Sequence, residues 1–455
     1  MTENNSPIEC AVEKARQRGL VNFTLGYFDQ NGRLRAKYCN TATLEKVLRE
    51  GSALSMVALS SAPDETPMQN SPFLDPANQF PDAELKVSAE SCRDFPLDGE
   101  GMGQIFIGEL MNDFAGYCPR ALLGNELERY ANLGISPYGA FEIEWYMLEE
   151  DRSSIIKKSA KDLQVRNGFE WFYSFVDHVK DNALYRDIMD TFDAMDIPVE
   201  TMHSEHSQLV EAALHPVQGI RIADNAGLFK WVMKAIAARH GLMASFMARR
   251  STDSQGCGAH LNLSMLDSKG TSVFYDQSGE NKMSETMRHF LGGVLRYTPE
   301  LFLLHAPNLN SYRRFKPGLF TPLSNTWGVN NKTVAFRVVT TSAGSARIES
   351  RIPGADISPH LGLLATLIAG RKGIEESIDP GDPVKGDGWT ADDWNGLGFP
   401  LDFASAIGKF EHSPLARQAL GDKFVDFYVA SRKWQLEDLA NTITDWEVRT
   451  FIEGV

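Results

Sequence analysis

Cysteine is scarce in this chain and never closely paired. The five residues, Cys10, Cys39, Cys92, Cys118 and Cys257, are odd in number, widely scattered and form no C-x-x-C, which fits reduced thiols better than a disulfide framework. Long apolar runs are also missing, and no stretch reaches the ~18 residues of a membrane span. The opening residues, MTENNSPIEC, carry neither a basic nor an apolar signal region, so export is not expected and a cytoplasmic location is. Basic charge is in deficit: 45 Lys and Arg face 60 Asp and Glu, a formal net charge of −15. That disfavours nonspecific binding to nucleic acid or to a membrane, and an anionic substrate needs a locally basic pocket. No Walker A sequence and no dinucleotide G-x-G-x-x-G opens a strand-to-helix turn, so a P-loop or Rossmann nucleotide site is disfavoured.

What is present is an ordinary globular composition, 43% hydrophobic and 23% charged over 455 residues, long enough for two units or one large elaborated unit. Two β-like runs between Val21 and Lys37 flank a turn signal at Asp29–Gly32 and predict a hairpin. A short helix is expected over Thr43–Gly51, and Ala62–Gly103 reads as mostly loop with some strand. Residues 1–111 are taken as a small α+β unit and residues 112–455 as a larger one. In the latter, helices are expected from Cys118 to Leu133, Asn182 to Met195, Asp224 to His240, Ser284 to Leu304 and Pro359 to Gly370, with two more from Pro414 to the end. Leu242–Arg249 reads as a strand, Pro380–Gly398 as a loop, and the aromatic stretch Gly168–Lys180 as core or as the wall of a substrate pocket. There is no repeat or coiled coil.

Several strands present ionic groups on one face only. In GAFEIEWYMLE, Phe141, Ile143, Trp145 and Met147 alternate with Glu142, Glu144 and Tyr146, placing the two carboxylates on one face roughly 6.5–7 Å apart. Alone this reads first as a half-exposed strand wetting its polar side. In AHLNLSML, His260, Asn262 and Ser264 share a face, following the glycine-rich Gln255-Gly256-Cys257-Gly258. In RIESR, Arg347, Glu349 and Arg351 share another, while Glu205 and Glu211 fall in a segment that reads as strand, turn and strand. Such faces make sense lining a wet, concave surface covered by helices behind. Glu142, Glu144, Glu205, Glu211, Glu349 and His260 offer two divalent-cation sites, and Arg314, Lys332, Arg337, Arg347 and Arg351 offer grips for carboxylate and phosphate oxygens. That inventory suits phosphoryl transfer, which is mainly positioning and charge stabilisation.

The E-x-E strand, Glu205 and Glu211, the G-x-G-x-H loop, NSYRR followed by PG, WGxxN and R-I-E-x-R occur in this order over nearly the whole chain, and together they resemble the glutamine synthetase family. The resemblance implies an α+β fold with an N-terminal β-grasp domain and a large catalytic α/β funnel. It also implies a dodecamer of two stacked hexameric rings with active sites between neighbours, and ATP, L-glutamate and two to three Mg²⁺ or Mn²⁺ ions per site. Glu144, Glu205 and Glu211 match a first metal site, and Glu142, His260 and Glu349 a second. Arg314, Arg351, Gln255 and Gly256 match the glutamate contacts, and Lys332, Arg337, Arg347, Asn262 and Ser264 the nucleotide and phosphate contacts. Phe320 stands where ammonia-using members carry a flap acid, and Ala58 falls near their ammonium-site aspartate. With Phe172 these define an expected amine pocket, similar to the γ-glutamylpolyamine, alkylamine and anilide synthetases. Lys332 for arginine, Gln255 for asparagine and Asn262 for histidine are further departures. The expectation is an ATP-dependent glutamate–amine ligase, with an ammonia-using glutamine synthetase or a catalytically silent ring protein as rivals.

Overall fold

A computed structural model describes residues 6–98, 102–166, 172–206 and 209–455. Thirteen helices and fifteen strands are placed among the described residues. The N-terminal strands β1 (Asn22–Phe28), β2 (Leu34–Asn40), β3 (Ser52–Ser55), β4 (Asp82–Val87), β5 (Arg93–Phe95) and β6 (Gly103–Leu110) form a sheet of order β2-β1-β6-β4-β3, with β5 also on β6. The expected hairpin is β1–β2, paired from Asn22↔Asn40 to Phe28↔Leu34, and β1 runs parallel to β6.

The second sheet contains β7 (Ile135–Leu148), β8 (Val199–Glu205), β9 (Leu209–Leu214), β10 (Val217–Gln218), β11 (Met243–Ser245), β12 (Ala259–Asp267), β13 (Trp327–Val329), β14 (Phe336–Val339) and β15 (Arg347–Ser350). Its order is β13-β14-β15-β12-β7-β9-β8, with β10 and β11 also on β7. Apart from the parallel pair β13–β14, its pairings are antiparallel. The long β7 is the spine because its alternation is obeyed: Phe141, Ile143 and Trp145 are buried while Glu142 and Glu144 are only partly so. Gly139 lets β7 approach β12, since a Cβ there would lie 2.2 Å from the Asn262 carbonyl oxygen.

The helices are α1 (Pro7–Gln17), α2 (Leu44–Glu50), α3 (Pro119–Asn132), α4 (Arg152–Lys157), α5 (Phe175–Lys180), α6 (Asn182–Ala194), α7 (Arg221–Arg239), α8 (Glu285–His305), α9 (Pro359–Glu376), α10 (Phe403–Glu411), α11 (Pro414–Leu420), α12 (Asp422–Asn441) and α13 (Asp445–Phe451). The apolar side of β7 and β12 packs in one core with Phe229 and Val232 of α7 and with Leu361 to Ile368 of α9. Trp145 meets Phe229 edge-on at 5.6 Å. Each fully buried large aliphatic or Phe side chain contributes roughly 1.5–3 kcal/mol, so the acidic face is held by what lies behind it. A second core, drawn from Ala11 to Cys118 with Phe427 of α12, sits in the N-terminal sheet.

Several expectations need correction. The strand expected over Leu242–Arg249 is only β11; after Ser245 the chain leaves the sheet, and the Arg249 N–H donates to Asn310 Oδ1 at 2.9 Å. Tyr146, counted with the polar set, is buried and donates to the Gln255 carbonyl at 2.6 Å. From Pro414 onward the chain holds three helices, α11 to α13, rather than two, and neither α1 nor α10 was anticipated. Residues 167–171 of the aromatic stretch lie outside the described residues; beyond them come Phe172, Tyr173 and α5. The cysteines are free, as expected. No described helix is long and apolar enough to cross a membrane.

Candidate active site

Strand register brings the expected donors together. His260 of β12 pairs opposite Glu142 of β7, Glu211 of β9 opposite Glu144, and Arg337 of β14 opposite Glu349 of β15. The result is a continuous ionic face. His260 Nδ1 lies 3.4 Å from Glu142 and 3.7 Å from Glu349, while Glu349 accepts from Arg337 Nη1 at 2.8 Å and from Arg351. Glu144 accepts from the Gly258 N–H at 2.6 Å, which ties the glycine loop to β7.

Ligand atoms of Glu142, Glu211 and His260 all lie within 4.8 Å of one another, as do those of His203, Glu205 and Glu211. His203 was not singled out from sequence. It sits on β8 opposite Glu211 and lies 3.2 Å from both Glu205 and Glu211. Its burial opposes protonation, but the hydrogen bonds to those two carboxylates prevail and push the imidazole up to about 10. Glu211 is pushed up to about 7 by burial and by the charges of Glu142 and Glu144, against the opposing hydrogen bond from His203. Glu142 is also desolvated, yet its bond to His260 and nearby cations bring it down to about 2. The raised Glu211 carboxyl marks an excess of negative charge beside Glu142 and Glu144, the condition a divalent cation relieves. Five carboxylates and two imidazoles, His260 and His203, around one face give an oxygen-rich donor set that suits Mg²⁺ or Mn²⁺.

Several guanidinium groups keep donor atoms unspent. Arg314 is buried and donates from Nη1 to the Ile352 carbonyl at 3.0 Å. The Nε atoms of Arg314, Arg337 and Arg351 and the Gln255 Oε1 are buried without a hydrogen-bond partner among the described residues. Burial lowers the Arg314 pKa, against the pull of Glu144 and Asp356, so an incoming carboxylate would be welcome. Gly256 is needed here because a Cβ would lie 2.5 Å from Arg314 Cγ.

Two cavities meet this face. One, of about 690 Å³, is lined by Glu144, Glu205, His260, Gln255, Gly256, Arg314 and Lys332, and by an apolar wall of Phe172, Tyr173, Leu319, Phe320, Leu323 and Trp389. Phe320 is 54% exposed; its ring lies 5.5 Å from the Arg351 guanidinium and 5.3 Å, edge-on, from Trp389. The other, of about 820 Å³, is lined by Glu142, Asn262, Ser264 and Arg347 together with residues of β10's neighbourhood and the 343–346 turn. Arg347 donates from Nε to Asn262 Oδ1 at 2.9 Å. Ala58 lines neither cavity of its own chain; it lies in a short helical turn, Met56–Ser60, between β3 and β4. Trp389 and Asp387, both on the 380–398 loop, line the first cavity and were not singled out from sequence.

Residues 116–451 match the glutamine synthetase catalytic domain. The chain belongs to the glutamine synthetase family. As a member it is an ATP-dependent glutamate ligase. Among its relatives are a glutamate–isopropylamine ligase of a Pseudomonas species, 30% identical over 74% of this chain and 73% of that one, and the γ-glutamylputrescine synthetase of Escherichia coli, 30% identical over 78% and 76%. A type-1 glutamine synthetase of Dictyostelium discoideum is 28% identical over 93% and 82%. In fold, the chain superposes on ligand-free GmaS with a TM-score of 0.83, covering 97% of this chain and 99% of that one at 23% identity.

Proposed function

We propose that the chain joins the γ-carboxylate of L-glutamate to a primary organic amine, using ATP and passing through γ-glutamyl phosphate. The observation that carries the choice of acceptor is Phe320. Its ring borders the same cleft as Glu205, His260 and Arg314 and offers a bare ammonium no hydrogen-bond acceptor in exchange for lost hydration, whereas the carbon chain of an organic amine packs on it. Phe172 and Trp389 extend that apolar wall.

In this reading Arg314, Arg351, Gln255 and the Gly256 backbone hold glutamate so that a carboxylate oxygen attacks the ATP γ-phosphorus and ADP leaves. The amine lone pair then attacks the acyl carbon, phosphate departs, and the nitrogen loses a proton. Arg337, Arg347 and Lys332 stabilise phosphoryl charge, with Asn262 and Ser264 beside the nucleotide. Glu144, Glu205 and Glu211, and Glu142, His260 and Glu349, would hold divalent cations that neutralise phosphate charge. His203 would orient Glu205 and Glu211.

A second acceptor class is favoured by one observation. Asp387 lines the apolar end of the cleft, where its carboxylate could take the distal cation of a diamine. We further propose that residues 1–111 form an N-terminal unit, that the enzyme is cytoplasmic, and that it assembles as a dodecamer. Exposed apolar side chains on α5 (Phe175, Val176, Val179) and α13 (Trp446, Phe451) support burial against other copies, and only from a neighbour could Ala58 approach a cleft.

ADP release with glutamate plus a panel of alkylamines, arylamines and diamines, compared with ammonium, tests the acceptor. Organic amines should exceed ammonium. Equal or faster release with ammonium would return the chain to ordinary glutamine synthesis, and preference for diamines that Asp387→Asn abolishes would establish the second class.

A further inference from the structure

A third cavity, of about 570 Å³, shares no lining residue with the other two and lies between the Asn31–Arg33 turn of the N-terminal unit and α7 with β11. In a chain of net charge −15 its walls carry Arg33, Arg152, Lys230 and Lys234 against two carboxylates, Asp151 and Asp356, with Arg33 also paired to Glu65. Asp151 and the Asp356 Oδ2 are engaged elsewhere, while the Asp356 Oδ1 is buried without a hydrogen-bond partner among the described residues. Asp151 caps α4, accepting from the Ser154 N–H at 2.7 Å, and Asp356 Oδ2 accepts from Asn308 at 2.9 Å and from Ser311 at 2.6 Å.

The two lysines are therefore undersupplied. Lys230 is buried, and its one hydrogen bond among the described residues goes to the Ile357 carbonyl at 2.7 Å. Lys234 Nζ lies 4.1 Å from the Trp231 ring centroid and 6.0 Å from that of Phe246, with no ion pair among the described residues. A lysine stem that merely covers apolar surface sends its head to bulk water; Lys230 is buried instead, and both lysines line the cavity. Burial brings Lys230 down to about 7, with Asp356 only partly opposing, and Lys234 down to about 8, with Arg33 adding to the effect. A bound anion would restore both charges. The volume lies in the range of small-molecule sites, ~300–1,000 Å³.

We propose that this cavity binds a small dianion, a phosphate or a dicarboxylate, through Lys230, Lys234 and Arg33, as a site separate from the reaction cleft. The ligand bridges the N-terminal turn and α7, because Arg33 comes from one and both lysines from the other.

Calorimetric titration of the full chain with inorganic phosphate and, separately, with succinate tests this, with saturating ADP present to occupy the reaction cleft. At least one anion should bind saturably. Lys234→Gln should weaken it about tenfold, the worth of one charge-assisted hydrogen bond, while Lys234→Arg retains it and turnover with glutamate, ATP and amine is unchanged in both. Binding of phosphate alone identifies a phosphate-type ligand, and binding of succinate alone a carboxylate. In the unsubstituted protein, acylation of Lys234 mapped by peptide mass should be slowed by the same anion, a readout independent of any variant's folding. No saturable binding of either anion, binding undiminished by Lys234→Gln, or Lys234 labelling indifferent to the anion overturns the proposal.

Discussion

Phe320 and Arg351 are in contact, and that contact couples the two ends of the cleft. The ring stands 5.5 Å from the guanidinium that also reaches Glu349, so the group expected to face the acceptor amine leans on one expected to grip glutamate. Replacing the ring with a carboxylate, Phe320→Glu, should lower kcat/KM for an apolar amine by roughly 10–200-fold and raise ammonium-dependent ADP release, since a charged partner for ammonium is restored. Steady-state assays with both acceptors check this; unchanged selectivity would remove Phe320 from the acceptor pocket. At this scale the donor set was legible because strand alternation alone sorts Glu142, Glu144, His260 and Glu349 onto one face. His203 escaped although it alternates with Glu205 on β8, because its significance depends on lying opposite Glu211, a cross-strand register. Asp387 and Trp389 escaped because an irregular loop has no period from which a facing direction can be read.

Between elements, the most consequential polar contact lies behind the active face. Arg120 of α3 donates to Asp224 of α7 from Nε and Nη2, each at 3.0 Å, and His360 Nε2 of α9 lies 2.9 Å from the same carboxylate. Arg120 also reaches Glu109 of β6, so one guanidinium joins the N-terminal sheet to three helices supporting β7. Burial alone would raise the Asp224 pKa, but Arg120 and His360 outweigh it and hold the carboxyl well below its usual range. A depressed carboxylate stabilises the fold fully above its unfolded value, ~3.9, and that contribution is lost as pH falls through the folded value. Urea unfolding from pH 7 downward should therefore show a loss of stability below about pH 4 that Asp224→Asn largely lacks. The variant should also be ~3–5 kcal/mol less stable at neutral pH, because Arg120 is left buried and uncompensated. Helix positions were readable where glycine follows the last turn, as at Gly134 and Gly241. The helix α1 was not, since its buried face consists of small Ala11 and Ala15, although Ser6 and Glu9 already spell a capping box.

For the whole molecule, exposed apolar side chains on α5 and α13, and an Ala58 that lines neither cavity at the ionic face of its own chain, support the proposed assembly. Light scattering should give a mass near 600 kDa, about twelve copies of the 50.6 kDa chain; a monomer mass in active preparations would rule out sites shared between neighbours. The two cavities at the ionic face have separate linings and adjoin it from Glu142 on one hand and from Glu144 and His260 on the other. In the proposed reaction, traffic through one doorway would leave the second unobstructed: spent nucleotide would depart while the acyl phosphate stayed sheltered, and an acceptor would arrive without queuing behind it. Inhibition by ADP should accordingly be non-competitive toward the amine, and the reactive anhydride should meet its nucleophile before it meets bulk water.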